Sequence, residues 1–204
     1  MGTREDKLED LFWQNASVAP EERAQQKKQT PKILWLTGLS GAGKSTIAYT
    51  IDRKCFELGL HSYVLDGDNV RQGLNRDLRF GDADRVENLR RVAEVARLMA
   101  DAGLIVIVSF ISPFAEERRI ARSIAQPHAF YELFIDTPLD VCVARDPKGL
   151  YKKALDGKIE HFTGISSPYE RPESPDLVLS TAGSTPSFLA DMVIRRLLSH
   201  FPAS

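Results

Sequence analysis

Apolar residues along this chain alternate between short continuous runs and helical spacings. The runs ILWLT, HSYVL, LIVIVSF, YELFI and DLVLS have the length of strands, and LIVIVSF is typical of a strand buried on both faces. Between the runs, apolar positions recur every three or four residues, for instance at Leu89, Val92, Ala96 and Met99. This alternation predicts an α/β fold in which a parallel sheet carries helices on both faces.

The same periodicity sets the expected organisation of the chain. It predicts helices over 45–58, 84–102, 115–125, 138–144 and 186–198. The 204 residues suit one domain, which we expect over 31–204, preceded by an N-terminal arm over 1–30 that packs through Leu11, Phe12 and Trp13. Residues 146–176 are rich in Gly, Pro, Ser and charge and predict a mobile segment.

A glycine-rich segment, GLSGAGKST, follows the first strand and opens a helix. It matches the phosphate-binding pattern G-x-x-x-x-G-K-[ST], with an ordinary glycine turn as the alternative. The glycines let successive N–H groups point at phosphate oxygens, and the helix N-terminus adds positive charge. We expect Lys44 to reach the β- and γ-phosphates of ATP and Ser45 to coordinate magnesium. The predicted nucleotide-binding residues are Gly38, Leu39, Ser40, Gly41, Ala42, Gly43, Lys44, Ser45 and Thr46.

Two carboxylates, Asp66 and Asp68, end the second strand in the sequence YVLDGDNVR. Ligands of parallel sheets bind beyond the carboxyl ends of the strands, so both should lie beside the phosphate site. One can support magnesium and the other can orient or deprotonate an attacking hydroxyl. We choose Asp66 for magnesium and Asp68 for the base, and expect Gly67 to form a sharp turn between them. A polar turn at a strand end is the alternative.

Three further segments carry candidate substrate contacts. Arg85 and Asn88 lie three residues apart on one helix face, where they can grip an anion. Phe80 and Phe162 are lone aromatics in polar stretches, a placement that favours stacking on a base. The third strand ends in FISPF, with Ile111 and Ser112, and the Ser112 hydroxyl can contact substrate or accept phosphate; a Ser-Pro turn is the alternative.

A basic segment, RDPKGLYKKA, lies inside the expected mobile region. Arg145 and Lys148 make it a candidate lid, around 145–170, whose cations meet the transferred phosphate; a solvated basic loop is the alternative.

Charge and composition narrow the function. The net charge of −1 and pI near 6.4 exclude a general basic field for nucleic acid, and the sequence lacks an apolar run of the roughly 20 residues that span a bilayer. Cys55 and Cys142 form no Cys-x-x-Cys pair, so we expect no zinc site and a reducing, cytoplasmic location.

Taken in order, these motifs resemble one family. GLSGAGKST, LDGDNVRQGLN, DLRF, DADRVENLRR, FISPF, RDPKGLYKKA, FTGI and SPYERPESPDL are similar to adenylyl-sulfate (APS) kinases, over roughly residues 11–180. The resemblance implies a P-loop NTPase, nucleotide-kinase-like architecture. It also implies transfer of phosphate from ATP to adenosine 5′-phosphosulfate, giving 3′-phosphoadenosine 5′-phosphosulfate in sulfate assimilation.

The resemblance also implies roles for individual residues. Arg71, Asn75, Arg85 and Asn88 would hold the sulfonucleotide, and Phe80 and Phe162 would sandwich its adenine. Ser112 matches a position given to a phosphoserine intermediate in that family. The chain departs from the family pattern at Arg79, usually glycine, at Glu160, usually basic, and at Ser166 and Ser167, often Asp. The first two departures point to weaker or altered substrate binding.

Three other functions stay open at this point. A kinase for a sugar acid, shikimate or a nucleotide would share the P-loop but would not need two lone phenylalanines. A GTPase is disfavoured because the guanine-reading Asn-Lys-x-Asp motif is missing. A catalytically dead partner subunit is disfavoured because Lys44, Ser45, Asp66 and Asp68 are all present. The family further implies a homodimer and possible association with an ATP sulfurylase.

Overall fold

The computed structural model describes residues 12, 14 and 16–198. Its five strands are β1 (Lys32–Thr37), β2 (Ser62–Asp66), β3 (Ile105–Ser109), β4 (Ala129–Asp136) and β5 (Leu177–Ser180). They form one sheet in the order β2-β3-β1-β4-β5, and every pair is parallel. The predicted parallel α/β sheet is therefore confirmed.

Helices cover both faces of this sheet. They are α1 (Pro20–Gln26), α2 (Lys44–Glu57), α3 (Gly67–Gln72), α4 (Asp82–Asp101), α5 (Ala115–Ile124), α6 (Leu139–Arg145), α7 (Leu150–Leu155) and α8 (Pro186–Val193), which continues as a π-helix over Ile194–Leu198. Among the described residues, no helix combines the length and the apolar character that crossing a membrane requires.

Alternate residues of β1 serve two separate cores. Leu34 and Leu36 pack in the cluster that contains the apolar residues of α2 and α8, while Ile33 and Trp35 pack in the cluster that contains those of α4. All four are at most 1% exposed. Successive side chains of a strand point to opposite faces, so a central strand with helices on both sides must be apolar throughout.

Three helices were not predicted. The first, α1, carries no buried residue, and α3 is a six-residue helix without one. Asp66 caps α3, because its carboxylate accepts a hydrogen bond from the Asp68 backbone N–H at 3.1 Å. Gly67 therefore begins a helix, and the expected sharp turn at this glycine is wrong.

The third of these helices, α7, lies inside the segment expected to be mobile. Both carboxylate oxygens of Asp146 accept hydrogen bonds from the first turn of α7, at the backbone N–H of Tyr151 and of Lys152. The mobility of the segment as a whole stays a prediction.

The N-terminal arm is anchored differently from the expectation. Leu11 and Trp13 lie outside the described residues, and Phe12 is 82% exposed, so the expected packing of Phe12 is wrong. The buried Gln29 side chain instead donates to the carbonyls of His61 and Gly103 and accepts from the His61 N–H. These bonds tie the end of the arm to the start of the sheet.

Candidate active site

A large cavity of about 1260 Å³ lies where the carboxyl ends of β2, β3 and β5 meet. Its wall includes Ser40–Thr46 at one end and Phe80, Arg85 and Phe162 at another. We call the first region the ATP end and the second the acceptor end. The position at the carboxyl edge agrees with the general rule for parallel sheets.

The backbone of the glycine-rich segment Gly38–Thr46, which we call the P-loop, curls as the motif predicts. Gly38, Gly41 and Gly43 all have positive φ, at 150°, 72° and 103°. A Cβ on Gly38 would lie 2.7 Å from the carbonyl oxygen of Ile135 on β4, so this position is closed to any other residue. Gly43 stands at the N-cap of α2, which begins at Lys44.

Lys44 is buried at the ATP end. Its ammonium donates hydrogen bonds to the carbonyl oxygens of Gly38 at 2.9 Å and Leu39 at 2.7 Å. Burial lowers the pKa of Lys44 from 10.5 to about 8. Gly38 and Leu39 thus contribute carbonyls to Lys44, while the Leu39 side chain faces a neighbouring cavity of about 570 Å³.

Ser45 and Asp66 meet as the sequence predicts for a magnesium site. The Ser45 hydroxyl donates to Asp66 Oδ2 at 2.6 Å, and the Ser109 hydroxyl lies 3.4 Å from the Ser45 hydroxyl. Within the described part of the chain, no group of three or more His, Cys, Asp or Glu side chains could hold a metal. A hard cation here would therefore depend on Ser45, Asp66 and the oxygens of bound phosphate or water, a donor set that suits Mg²⁺.

Asp68, the candidate base, is paired with the candidate lid. The Lys148 ammonium forms an ion pair with Asp68 Oδ2, and the two side chains are 55% and 62% exposed. This contact brings a residue of the candidate lid against the first turn of α3, although the two are far apart in sequence. Lys148 and Asp68 both line the cavity.

At the acceptor end, Arg71 and Phe80 form a pair. The Arg71 guanidinium lies over the Phe80 ring at 4.6 Å and donates to the Arg79 carbonyl at 3.0 Å. Phe80 is 68% exposed, which agrees with the predicted aromatic in a polar segment. The unusual Arg79 has its backbone N–H bonded to Asp84 Oδ2 at 2.8 Å; nothing in the structure explains its side chain.

Arg85 crosses from α4 to the segment before Phe162. Its Nη2 donates to the His161 carbonyl at 2.7 Å, and its buried Nη1 has no hydrogen-bond partner among the described residues. A buried guanidinium N–H without a partner costs free energy, so this group is ready for an anionic ligand.

Asn88 and Asn75 are bonded to one another. Asn75 is fully buried, and its Nδ2 donates to Asn88 Oδ1 at 2.9 Å. Asn88 is 3% exposed but lines the cavity. Asn75 therefore holds the Asn88 side chain in position. Direct contact of either amide with substrate stays a prediction.

Phe162 is not a lone aromatic in a polar loop, and that expectation is wrong. It is 9% exposed, belongs to the core cluster beneath α2, and meets the Tyr151 ring edge-on with centroids 5.0 Å apart. Its neighbours come from a helix that the sequence pattern did not predict. Phe162 nevertheless lines the cavity, so it is both a core residue and a wall of the acceptor end.

Ser112 lies in a strained and enclosed turn after β3. Its φ is 39°, it is 2% exposed, and its hydroxyl accepts a hydrogen bond from Trp35 Nε1 at 3.1 Å. The carbonyl of Ile111, the preceding residue, accepts from the Thr37 hydroxyl at 2.7 Å. Ile111 and Ser112 both line the cavity, as the FISPF motif predicts.

Arg145 is at the ATP end, at the end of α6. Its guanidinium lies near the Ala42 carbonyl, at 3.4 Å, and the Thr181 hydroxyl, at 3.3 Å. Sequence reasoning missed the residues that follow β5 here, although the strand-end rule that selected Asp66 applies equally to them. The missed residues that line this part of the cavity are Thr181, Ser184, Pro186 and Leu189.

Comparison with known proteins agrees with this geometry. The adenylylsulphate kinase family matches residues 30–180. The adenylyl-sulfate kinase of Marinobacter nauticus is 53% identical over 190 residues, covering 93% of this chain and 96% of that protein. The structure of the Mycobacterium tuberculosis APS kinase CysC in complex with AMPPNP and APS has a TM-score of 0.80 at 53% identity, and the match covers 82% of this chain and 97% of that one.

A second kind of relative is much longer. The bifunctional enzyme NodQ of Rhizobium tropici is 60% identical over 184 residues, which are 90% of this chain but 29% of that protein. The range matched by the family model includes the P-loop, the aspartate pair and the acceptor end. The chain therefore belongs to the adenylylsulphate kinase family.

Proposed function

We propose that this chain is an adenylyl-sulfate kinase, which transfers the γ-phosphate of ATP to the 3′-hydroxyl of adenosine 5′-phosphosulfate. The observation that carries the proposal is that one cavity joins a P-loop to an end whose wall includes Arg71, Arg85, Phe80 and Phe162. Such an end suits an acceptor with both anionic groups and an aromatic base. The family match and the relative that holds AMPPNP and APS support the same substrates.

Different side chains of the acceptor end would bind the anionic and the aromatic parts of adenosine 5′-phosphosulfate. Arg71 and the free Nη1 of Arg85 would bind the phosphosulfate, and Asn88 would add a polar contact. Phe80 and Phe162 would enclose the adenine. Because Arg71 covers one face of Phe80, the adenine must take the other face or displace the guanidinium.

The reaction itself needs positioning, a base and charge neutralisation. The 3′-oxygen attacks the γ-phosphorus while the bond from that phosphorus to the β–γ bridging oxygen breaks, and ADP leaves. Asp68 accepts the hydroxyl proton. Lys44, Lys148 and Arg145 offset the charge on the phosphoryl oxygens.

Magnesium would be held by Ser45 and Asp66, whose hydroxyl and carboxylate fit it. When bound, the ion would neutralise charge on the phosphate oxygens. The remaining ligands would be phosphate oxygens and water.

Ser112 has a different role in this proposal from that of a phosphate carrier. Its hydroxyl oxygen accepts a hydrogen bond from Trp35, and the residue is nearly fully buried, which fixes the turn. Because the hydroxyl accepts from Trp35, its own proton is left to donate to substrate. Direct transfer needs no phosphoserine, because the two substrates share one cavity.

Two protein partners are proposed for the chain: a second copy of itself and an ATP sulfurylase. We propose a homodimer and association with an ATP sulfurylase. The existence of longer bifunctional relatives supports the second, because a chain of this kind occurs there beside further sequence. A cytoplasmic location remains a prediction.

The test is an acceptor panel with the purified chain. ADP release with Mg-ATP would be followed for adenosine 5′-phosphosulfate, shikimate, gluconate and nucleoside monophosphates. We expect the highest kcat/KM for adenosine 5′-phosphosulfate, with a product phosphorylated at the 3′ position. A higher kcat/KM for any other acceptor would show that the proposal is wrong.

A further inference from the structure

Tyr151 on α7 touches both ends of the cavity. Its hydroxyl donates a hydrogen bond to the carbonyl oxygen of Ser40 in the P-loop at 3.0 Å. Its ring meets Phe162 edge-on, with centroids 5.0 Å apart and planes at 79°. No other residue in the described part of the chain has an aromatic contact with Phe162.

Tyr151 is enclosed, so a change in position at one of its two contacts is passed to the other. It is 1% exposed, and the backbone N–H of Tyr151 is fixed by the Asp146 carboxylate at 3.1 Å. Burial raises the pKa of the Tyr151 hydroxyl, so the group stays a proton donor over the whole neutral range. A close-packed ring cannot turn without displacing its neighbours.

We propose that Tyr151 is a positioning residue that couples the two substrate sites, so that nucleotide in the P-loop raises the affinity of the acceptor end. The inference rests on the proposed function, since it takes the two ligands to be ATP and adenosine 5′-phosphosulfate. Tyr151 touches neither ligand in this scheme and acts through Ser40 and Phe162.

The physical basis is that bound nucleotide restricts the motion of three linked groups: the Ser40 peptide, the Tyr151 side chain and the Phe162 ring. Phosphate bound by the P-loop N–H groups fixes the peptide at Ser40, and with it the carbonyl that Tyr151 uses. The hydroxyl then fixes the ring, and the ring fixes Phe162 in the acceptor wall. A second ligand pays less to order what the first has already ordered, which gives positive coupling between the sites.

The test measures coupling rather than activity. Binding of adenosine 5′-phosphosulfate is measured calorimetrically, with and without saturating Mg-AMPPNP, which cannot transfer its phosphate. The ratio of the two dissociation constants is the coupling factor, and for the wild type we expect about 5- to 150-fold tighter binding with the analogue. Tyr151→Phe removes the bond to Ser40 and keeps the ring on Phe162, so its factor should approach 1.

Tyr169→Phe is the matched control. Tyr169 is a half-buried tyrosine whose hydroxyl also bonds beside the P-loop, to Thr37 Oγ1 at 2.9 Å, and its ring packs on Phe134. Because it does not contact Phe162, its removal should leave the coupling factor unchanged. Phe162→Leu interrupts the path at its other end and should also bring the factor toward 1, which keeps the test available if Tyr151→Phe does not fold.

The outcomes separate the two proposals. Full coupling in Tyr151→Phe, or equal loss in Tyr151→Phe and Tyr169→Phe, would overturn the role of Tyr151 alone. So would a wild type that binds adenosine 5′-phosphosulfate with a factor of 1. A wild type that binds this acceptor under neither condition would remove the proposed function, and the coupling with it.

Discussion

The ATP end and the acceptor end of the cavity are built from different kinds of chain segment. At the ATP end, consecutive residues of the P-loop supply the lysine, the hydroxyl and the backbone donors. The acceptor end draws on four separate segments. Arg71 is in α3, Phe80 lies between α3 and α4, and Arg85 is in α4. Phe162 lies in the chain beyond α7. The ATP end therefore depends on local backbone geometry, whereas the acceptor end depends on tertiary packing.

This difference decides how each end responds to change. A substitution in the P-loop acts directly on phosphate, because Gly38 has no room for a side chain and Lys44 is already bonded to the loop. A substitution at the acceptor end acts both on the ligand and on the packing that holds the wall together. Four predictions use this contrast.

Asp68, which stands between the two ends, should show the largest effect. Asp68→Asn should lower kcat by about 10²- to 10⁴-fold, the usual contribution of a positioned base. The Asp68–Lys148 pair is more than half exposed, so its loss should leave the melting temperature nearly unchanged. The matched control is Asp156→Asn, which breaks the exposed pair with Lys158 and should leave kcat as it is. Wild-type kcat in Asp68→Asn would remove Asp68 from the mechanism.

The two phenylalanines of the acceptor end should separate ligand binding from packing. Phe80→Ala should raise KM for adenosine 5′-phosphosulfate by roughly 5- to 150-fold, with little change in kcat or melting temperature. Phe162→Ala should raise the same KM and also cost about 3–5 kcal/mol of stability, because that ring is in the core.

The control for Phe80 is Phe56→Ala. Phe56 is also exposed, at 71%, and also lies under an arginine, Arg53 at 5.4 Å, but on α2 away from the cavity. Its KM should not change. An unaltered KM for Phe80→Ala would contradict stacking at the acceptor end.

The pH dependence of ATP binding should report Lys44. Its folded pKa of about 8 lies below the ordinary 10.5, and only the ammonium attracts phosphate. ATP affinity should therefore be full below pH 8 and fall by up to about tenfold per unit above it. Between pH 8 and 10.5 the unfolded chain binds more protons at Lys44, so the stability penalty of burying this ammonium fades as pH rises.

Lys44→Met supplies the reference for both measurements. At pH 7, 8 and 9, calorimetric titrations should show that this variant binds ATP more weakly and with less dependence on pH. Denaturant unfolding at the same pH values should show that its stability no longer rises with pH through Lys44. A wild-type affinity that holds steady to pH 9 would mean that Lys44 does not lose its proton in this range.

The smallest effect is expected at Glu160, an exposed carboxylate that lines the acceptor end. Glu160→Lys should lower KM for adenosine 5′-phosphosulfate a few-fold at low salt and less at 1 M salt, since exposed charges are screened. KM for ATP is the internal control. An unchanged acceptor KM at low ionic strength would place residue 160 outside the electrostatic reach of the substrate.

The contrast between the ends also explains what the sequence could predict. Lys44, Ser45 and Asp66 follow from a contiguous motif and from the rule that strand ends converge, and neither depends on knowing the packing. The burial of Phe162 depends on α7, whose start is fixed by Asp146 and whose six residues are too short a stretch to show a helical period. Asn75 and Asn88 were predicted as ligand contacts, but only the tertiary structure shows that they bond to each other.

The position of β1 has a consequence for hydrogen exchange. This strand pairs with β3 on one side and β4 on the other, and its side chains are divided between both cores. We therefore expect its amides to exchange with solvent only when the whole domain opens, whereas those of α7 should be released by opening one six-residue helix. The P-loop begins directly after β1, so we expect the phosphate site to stay attached to a well-protected strand, while local opening of α7 would break the Tyr151–Ser40 bond and release the P-loop from the segment that carries Lys148.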